Sequence, residues 1–166
     1  METRSVEFIL GACAGKLAAG SPGTSIKRVT TDSRAVQPSD LFVALAGERH
    51  DGHEFLPDVI QKGVDAVMVE SNKVPTGVPK CAVIAVENTR KALGQLAARY
   101  RTDFTLPVVA VGGSNGKTTT KELLASILRQ KLATLWSEAS FNNDIGVPLT
   151  LLRLENKHEA AVMEVG

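Results

Sequence analysis

Aromatic side chains are scarce, 4% of 166 residues, so any core must be built from Val, Leu, Ile and Ala. Cysteine is scarce too. Cys13 and Cys81 stand far apart, whereas a disulfide framework needs more cysteines and a zinc site needs close pairs such as C-x-x-C. Two lone thiols fit a reducing cytoplasm, with packing as their work. The histidines, His50, His53 and His158, have no metal-type spacing. Charge of one sign is also missing. A net charge of +1 with scattered Lys and Arg leaves no field to gather nucleic acid or an anionic membrane surface. No apolar run approaches the ~18 residues of a membrane span. Leu10-Gly11-Ala12-Cys13 superficially matches a lipoprotein cleavage site, but Arg4 and Glu7 leave too short an apolar run before it. The plain reading is a short amphipathic helix over residues 6–17.

What is present is ordinary for a soluble globular protein: 43% hydrophobic and 22% charged residues, at a length that allows one domain or two small ones. Strand and helix patterns alternate. Residues 26–31 alternate as a strand and 41–45 form a more apolar one, with turn chemistry at Gln37-Pro38-Ser39-Asp40 between them. Residues 53–62 read as a helix with Phe55, Val59 and Ile60 on one side and Gly63 as its stop. Apolar strands follow at 66–69 and 82–86, separated by a Pro- and Gly-containing loop at 74–79. Asn88 or Thr89 can cap the next helix, where Leu93, Leu96, Ala97 and Tyr100 recur at helical spacing.

Residues 101–107, polar and closed by Pro107, form the expected boundary between domains 1–106 and 107–166. Val108-Val109-Ala110-Val111 reads as a strand of the kind buried in parallel sheets. A helix over 118–130 turns Leu123, Leu124, Ile127 and Leu128 to the core, and strands follow at 133–136 and 160–165. The expected class is α/β, a small mixed α/β domain followed by the first part of a P-loop parallel-sheet ATPase domain.

Between strand and helix lies Gly112-Gly113-Ser114-Asn115-Gly116-Lys117-Thr118-Thr119, a shortened phosphate-binding loop with Val111 where the full pattern has glycine. Glycines let backbone N–H groups point into a concavity, and the helix N-terminus adds partial positive charge behind them. Lys117 can then reach the β- and γ-phosphates of ATP, and the Thr118 hydroxyl can ligate Mg²⁺. A lysine in the first helical turn opposes the dipole, which a purely structural turn has no reason to bear. Glu164, near the end of the last strand, is placed either to hold Mg²⁺ or as an ordinary acid where the strand meets solvent. The polar stretch from Ser140 to Pro148, with Asn142 and Asn143, either lines the site or caps a helix beginning near Pro148. Thr30-Thr31-Asp32-Ser33-Arg34 and Asp51-Gly52-His53 offer hydroxyls, a guanidinium and an imidazole to a polar ligand, though such residues more often form turns and surface charge.

These stretches resemble the Mur ligases of bacterial peptidoglycan synthesis over essentially the whole chain. The resemblance rests on T-T-D-S-R from Thr30, D-L-F-V-A-L-A-G-E-R-H-D-G-H from Asp40, G-S-N-G-K-T-T-T-K-E from Gly113 and N-N-D-I-G-V-P-L-T-L-L-R-L from Asn142. The last is the discriminating one. It is similar to the branch that joins D-alanyl-D-alanine to UDP-N-acetylmuramoyl-tripeptide, where the preceding ligase carries a T-T-P type loop.

The resemblance implies a first domain holding the UDP-linked peptide, with Thr31, Ser33 and Arg34 in or near the UDP pocket and His53 close by. It implies ATP on Gly113, Ser114, Asn115, Gly116, Lys117, Thr118 and Thr119, Mg²⁺ on Thr118 and Glu164, and Asn142 and Asn143 beside the γ-phosphate and the reacting carboxylate. An acyl phosphate forms and the dipeptide amine attacks it. Gly112 stands where the family commonly has Thr, and Ser39 replaces the glycine of a P-G-D turn, which suggests a type I turn. Family members continue well beyond Gly166, so the expectation is a fragment inactive by itself, its adenine, carbamylated-lysine and dipeptide sites lying downstream. The alternatives are another Mur-type ligase or a non-catalytic nucleotide-binding module.

Overall fold

The computed structural model describes every residue except Glu48, Arg49, Val78, Ala139 and Ser140. Ser140, at the head of the polar stretch, therefore lies outside the described residues, as do Glu48 and Arg49 of the second family-like stretch. The chain divides into two compact units, one of Thr3–Leu96 and one of Met1–Glu2 with Ala97–Gly166.

The first unit is built on a five-stranded sheet. Its strands are β2 (Lys16–Ala19), β4 (Arg28–Thr30), β5 (Asp40–Val43), β6 (Ala66–Glu70) and β7 (Ala82–Val86), in the order β2-β7-β6-β5-β4. All pairings are parallel except β2 with β7. The three central strands are buried at nearly every position, which is why they read as continuous apolar runs rather than as alternation. On one face Phe42, Ala44, Val67, Val69 and Val83 form a cluster with Leu56 and Val59 of α2 (Leu56–Gln61). Leu41, Val43, Met68 and Ile84, at the alternate positions, are fully buried as well. Each such side chain contributes about 1.5–3 kcal/mol by leaving water.

Several local expectations are corrected here. The helix expected over 6–17 stops early: α1 is Val6–Cys13, Ala14 takes the left-handed conformation (φ 50°), and the chain re-enters the sheet as β2. The strand expected over 26–31 is two strands. β3 (Ser25–Ile26) pairs antiparallel with β1 (Arg4–Ser5), while β4 joins the large sheet. Residues 52–61 are a 3₁₀ turn followed by α2 rather than one helix, with Pro57 near the junction. Phe55 is consequently 38% exposed instead of facing the core. Gly63 (φ 82°) does follow the end of α2. Ser39 has φ 68° at the third position of the turn closed by Asp40 N–H donating to Gln37 O (3.2 Å), so the turn is of the type II kind after all.

Helix α3 (Thr89–Arg101) follows β7, with the Asn88 side chain accepting from Lys91 N–H at its start. In the second unit, Tyr100 is fully buried, and its hydroxyl donates to Leu154 O (2.6 Å) and accepts from Glu2 N–H (2.7 Å). The unit's sheet is all parallel, in the order β8 (Val108–Val111), β10 (Ala160–Glu164), β9 (Thr134–Trp136). β10 is central and wholly buried. β8 is an edge strand, so the burial expected of its apolar sequence is not realised, and Val109 is 41% exposed.

Helix α4 (Lys117–Leu128) follows β8. Its buried residues are Lys121 and Ala125, with Leu124 and Leu128 half-buried, whereas Leu123 and Ile127 are 60% and 66% exposed. At about 100° per residue, Leu123 lies across the helix from Ala125, so the four leucine-type residues cannot all face one sheet. A short helix, α5 (Gly146–Leu151), precedes β10.

Candidate functional site

The candidate residues of the second unit lie at and after the carboxyl ends of its three strands. After β8 the chain turns through Gly113 (φ 137°) and Gly116 (φ 74°), conformations that side-chain-bearing residues adopt only with strain, and enters α4. No side chain caps the amino end of α4, which leaves its amides facing out. Lys117 folds back over the loop and donates from Nζ to Gly113 O (2.7 Å). Ser114 and Asn115 are exposed on the same loop, and Thr119 is exposed on the first turn of α4.

Glu164 ends β10 in register with Val111, the last residue of β8. It is 1% exposed, so the alternative of an acid meeting solvent is removed. Its Oε2 accepts from Thr118 Oγ1 (2.9 Å) and its Oε1 accepts from Asn142 Nδ2 (2.9 Å). Both partners are neutral. A cation placed beside a buried carboxylate and a hydroxyl offsets the loss of water around the charge. This donor set fits a hard divalent ion at Thr118 and Glu164. No cluster of three or more His, Cys, Asp or Glu occurs among the described residues. A magnesium ion here would thus draw its remaining ligands from water and phosphate oxygens, its usual habit.

Asn142 and Asn143 are placed differently from one another. Asn142 reaches Glu164 with its side chain and accepts from Gly166 N–H (2.9 Å) with its carbonyl. Asn143 is exposed, and its Oδ1 accepts from the amides of Ile145 and Gly146 (3.1 and 2.8 Å), shaping the entry to α5. Two residues that the sequence did not bring forward complete the neighbourhood. Ser137 Oγ accepts from Glu164 N–H (2.9 Å), and the fully buried Lys121 donates from Nζ to Ser137 O (2.7 Å). Lys121 was legible only as a lysine one turn beyond Lys117; Ser137 carried no signal.

In the first unit, a cavity of about 510 Å³ opens at the carboxyl ends of β4 and β5. It is lined by Thr31, Asp32, Ser33, Arg34, Leu45, His50, Gly52 and Phe55. Arg34 pairs bidentately with Asp32 (2.9 Å for each bond), and that guanidinium holds the Asp32 carboxyl down at about 2. Lys62 Nζ donates to Ser33 O (2.8 Å). Thr31, Ser33 and Arg34 are therefore gathered on one cavity. The imidazole among the lining residues is His50. The His53 ring is turned inward, with Nε2 accepting from Glu70 N–H (3.0 Å) and Nδ1 lying 2.6 Å from Asp51 Oδ1. Since Nε2 accepts, the proton sits on Nδ1 and is donated to Asp51.

Both parts of the chain match proteins of known kind. The family described as "Mur ligase family, catalytic domain" matches residues 25–101, and the "Mur ligase middle domain" matches residues 111–166. The UDP-N-acetylmuramoyl-tripeptide--D-alanyl-D-alanine ligase of Escherichia coli (strain K12) is 44% identical over 142 residues, 86% of this chain and 30% of that protein. The ligase of the same name from Haemophilus influenzae is 42% identical over 151 residues, 89% of this chain and 32% of that protein. The chain thus spans about a third of the length of the curated relatives it matches. A crystal structure of MurF from Acinetobacter baumannii superposes with a TM-score of 0.91 at 42% identity, covering 100% of this chain and 36% of that one. MurF ligase from Thermotoga maritima in complex with ADP gives a TM-score of 0.72 at 33% identity, covering 83% of this chain and 31% of that one. With residues 25–101 and 111–166 matched by two domains of one family and a superposition that covers the whole chain, the chain belongs to the Mur ligase family.

Proposed function

We propose that the chain is the front part of an ATP-dependent carboxylate–amine ligase that joins D-alanyl-D-alanine to UDP-N-acetylmuramoyl-tripeptide. The observation that carries this reading is the contact of Thr118 Oγ1 with the buried Glu164 carboxylate, 2.9 Å, beneath a glycine-turned loop that ends in a lysine. The relatives' shared name supports the choice of substrates.

In this reading residues 1–106 hold the UDP-linked peptide, through Thr31, Ser33 and Arg34 at the cavity, with His53 bracing the loop that carries His50 and Gly52. Residues 107–166 hold ATP. The amides of residues 113–119 cradle its phosphates, and Lys117 exchanges the Gly113 carbonyl for phosphate oxygens. Mg²⁺ bound at Thr118 and Glu164 would supply positive charge to the transferring phosphoryl group. Asn142 orients Glu164, and Asn143 shapes the loop facing the reacting carboxylate. The reaction is transfer of the γ-phosphoryl group to the tripeptide carboxylate, followed by attack of the dipeptide amine and loss of phosphate. The cytoplasm, where nucleotide precursors are made, is the compartment that goes with this reading. No helix among the described residues is long and apolar enough to cross a membrane.

The test is nucleotide titration of Lys117→Ala beside a thermal melt. ATP affinity should fall at least about tenfold, because charge-assisted bonds to phosphate are lost. The melting temperature should stay within about 2 °C, since Lys117 is a loop-facing side chain. Unchanged affinity would remove the role assigned to the loop.

A further inference from the structure

Among the largest fully buried side chains, two are of a kind ordinarily charged at neutral pH, Glu164 and Lys121. Glu164 has the role argued above; Lys121 has none. Taking an ammonium out of water costs several kcal/mol unless it is bonded, and the stripe it occupies on α4 is shared with Ala125, Leu124 and Leu128. An apolar residue would fill that place without the cost. What the lysine adds is direction. Its Nζ donates to Ser137 O (2.7 Å) and pairs with Glu122 Oε1 (2.8 Å). Ser137 is itself fully buried just past β9, its N–H donates to Val162 O (3.0 Å), and its Oγ accepts from Glu164 N–H (2.9 Å).

A continuous chain of bonds therefore runs from the helix that begins at the phosphate loop, through Lys121 and Ser137, to the backbone of Glu164. From there the carboxylate returns to Thr118 on the same helix. The loop closes on itself, so the depth of Glu164 relative to Thr118 is set at two points. We propose that Lys121 is a positioning residue for the cation site, holding Ser137 and through it Glu164 at the spacing that a divalent ion needs. It touches neither nucleotide nor ion. The inference rests on the reading of Glu164 as a magnesium ligand.

The experiment uses the whole chain as wild type, Lys121→Met, Ser137→Ala, their double mutant and Glu164→Gln. Each is titrated with ATP in magnesium and in chelator, and the magnesium-dependent gain in affinity is compared. Amide exchange at residue 164 is followed without nucleotide. Lys121→Met and Ser137→Ala should keep their metal-free affinity within about twofold and lose about tenfold or more of the magnesium-dependent gain, as supporting groups of metal ligands do. Exchange at Glu164 should quicken in both. The double mutant should lose little more than the worse single one, because both act along one path. If wild type shows no magnesium-dependent gain, or Glu164→Gln keeps it, the reading of Glu164 fails and this inference with it. If those two behave as expected while a folded Lys121→Met, or Ser137→Ala, keeps the full gain, this inference alone is overturned. Equal loss with and without magnesium in Ser137→Ala also overturns it, being the mark of a merely structural role. Should Lys121→Met not fold, Ser137→Ala decides, since it removes a single hydroxyl.

Discussion

Asp51 stands before the 3₁₀ turn at Gly52–Phe55, and its carboxylate binds three groups. Oδ1 accepts from His53 N–H (3.0 Å) and from the His53 ring (2.6 Å), and Oδ2 accepts from Lys73 Nζ (2.7 Å). The Lys73 bond first, then the His53 amide, hold the Asp51 carboxyl well below the usual carboxylate range. Its folded value lies below its unfolded one, so the stabilisation is complete above about pH 4, the ordinary Asp value, and is lost as pH falls further. The wild-type chain is therefore expected to lose stability between about pH 4 and 2 more steeply than Asp51→Asn. The substitution itself should cost about 1–2 kcal/mol at neutral pH, as loss of bonds to a charged group does. Urea unfolding across that range checks both, and parallel slopes would contradict the assignment. At the same scale, the positive φ of Ser39 shows that tertiary context kept a turn whose serine suggested another type.

On α4, two apolar pairs compete for one buried stripe. Leu124 and Leu128 share it with Lys121 and Ala125, and Leu123 and Ile127 are left on the exposed side. The joint substitution Leu123→Glu with Ile127→Lys should change the unfolding free energy by less than about 0.5 kcal/mol per site. It also places a Glu four residues before a Lys, an orientation that favours the helix slightly. Ala125→Leu, two residues from each of those sites and 1% exposed, should cost about 1–3 kcal/mol by overpacking. Denaturant midpoints of the two variants measure the contrast. A large loss in the first would mean that the exposed face is covered in solution. Around β8 the lesson is similar, because four apolar residues in a row specified a strand but not its place at the sheet edge.

For the molecule as a whole, the two units carry separate sites at the carboxyl ends of parallel strands, where open α/β sheets bind ligands. Phosphoryl transfer followed by amide formation requires several groups placed within a fraction of an ångström. In the proposed reading the glycine-turned loop, Thr118 and Glu164 supply one part of such a constellation, in a chain spanning about a third of the relatives' length. Incubated with ATP, UDP-N-acetylmuramoyl-tripeptide and D-alanyl-D-alanine, the 166-residue chain should release no phosphate above background while still binding each nucleotide. Amide shifts with the UDP-linked peptide should cluster at Ser33, Arg34 and His50. Phosphate release that depends on both acceptor substrates would show that these residues suffice.

The local grammar of the sequence determined a good deal unaided. The glycine-turned loop between an apolar strand and a helix, the exact span of β7 and of β8, and the Asn88 start of α3 were all readable, because each depends on neighbours a few residues apart. Short strands β1 and β2 were not readable, since two to four residues without alternation become strands only when a partner is supplied from elsewhere. Only the tertiary structure decided that Glu164 is buried between Thr118 and Asn142, 46 and 22 residues away in sequence. It likewise decided that His50 rather than His53 faces the cavity, and that Lys121 points inward to Ser137. The physical reason is the same in each case. Burial and polar pairing are satisfied across the fold, between residues whose spacing along the chain carries no trace of their contact.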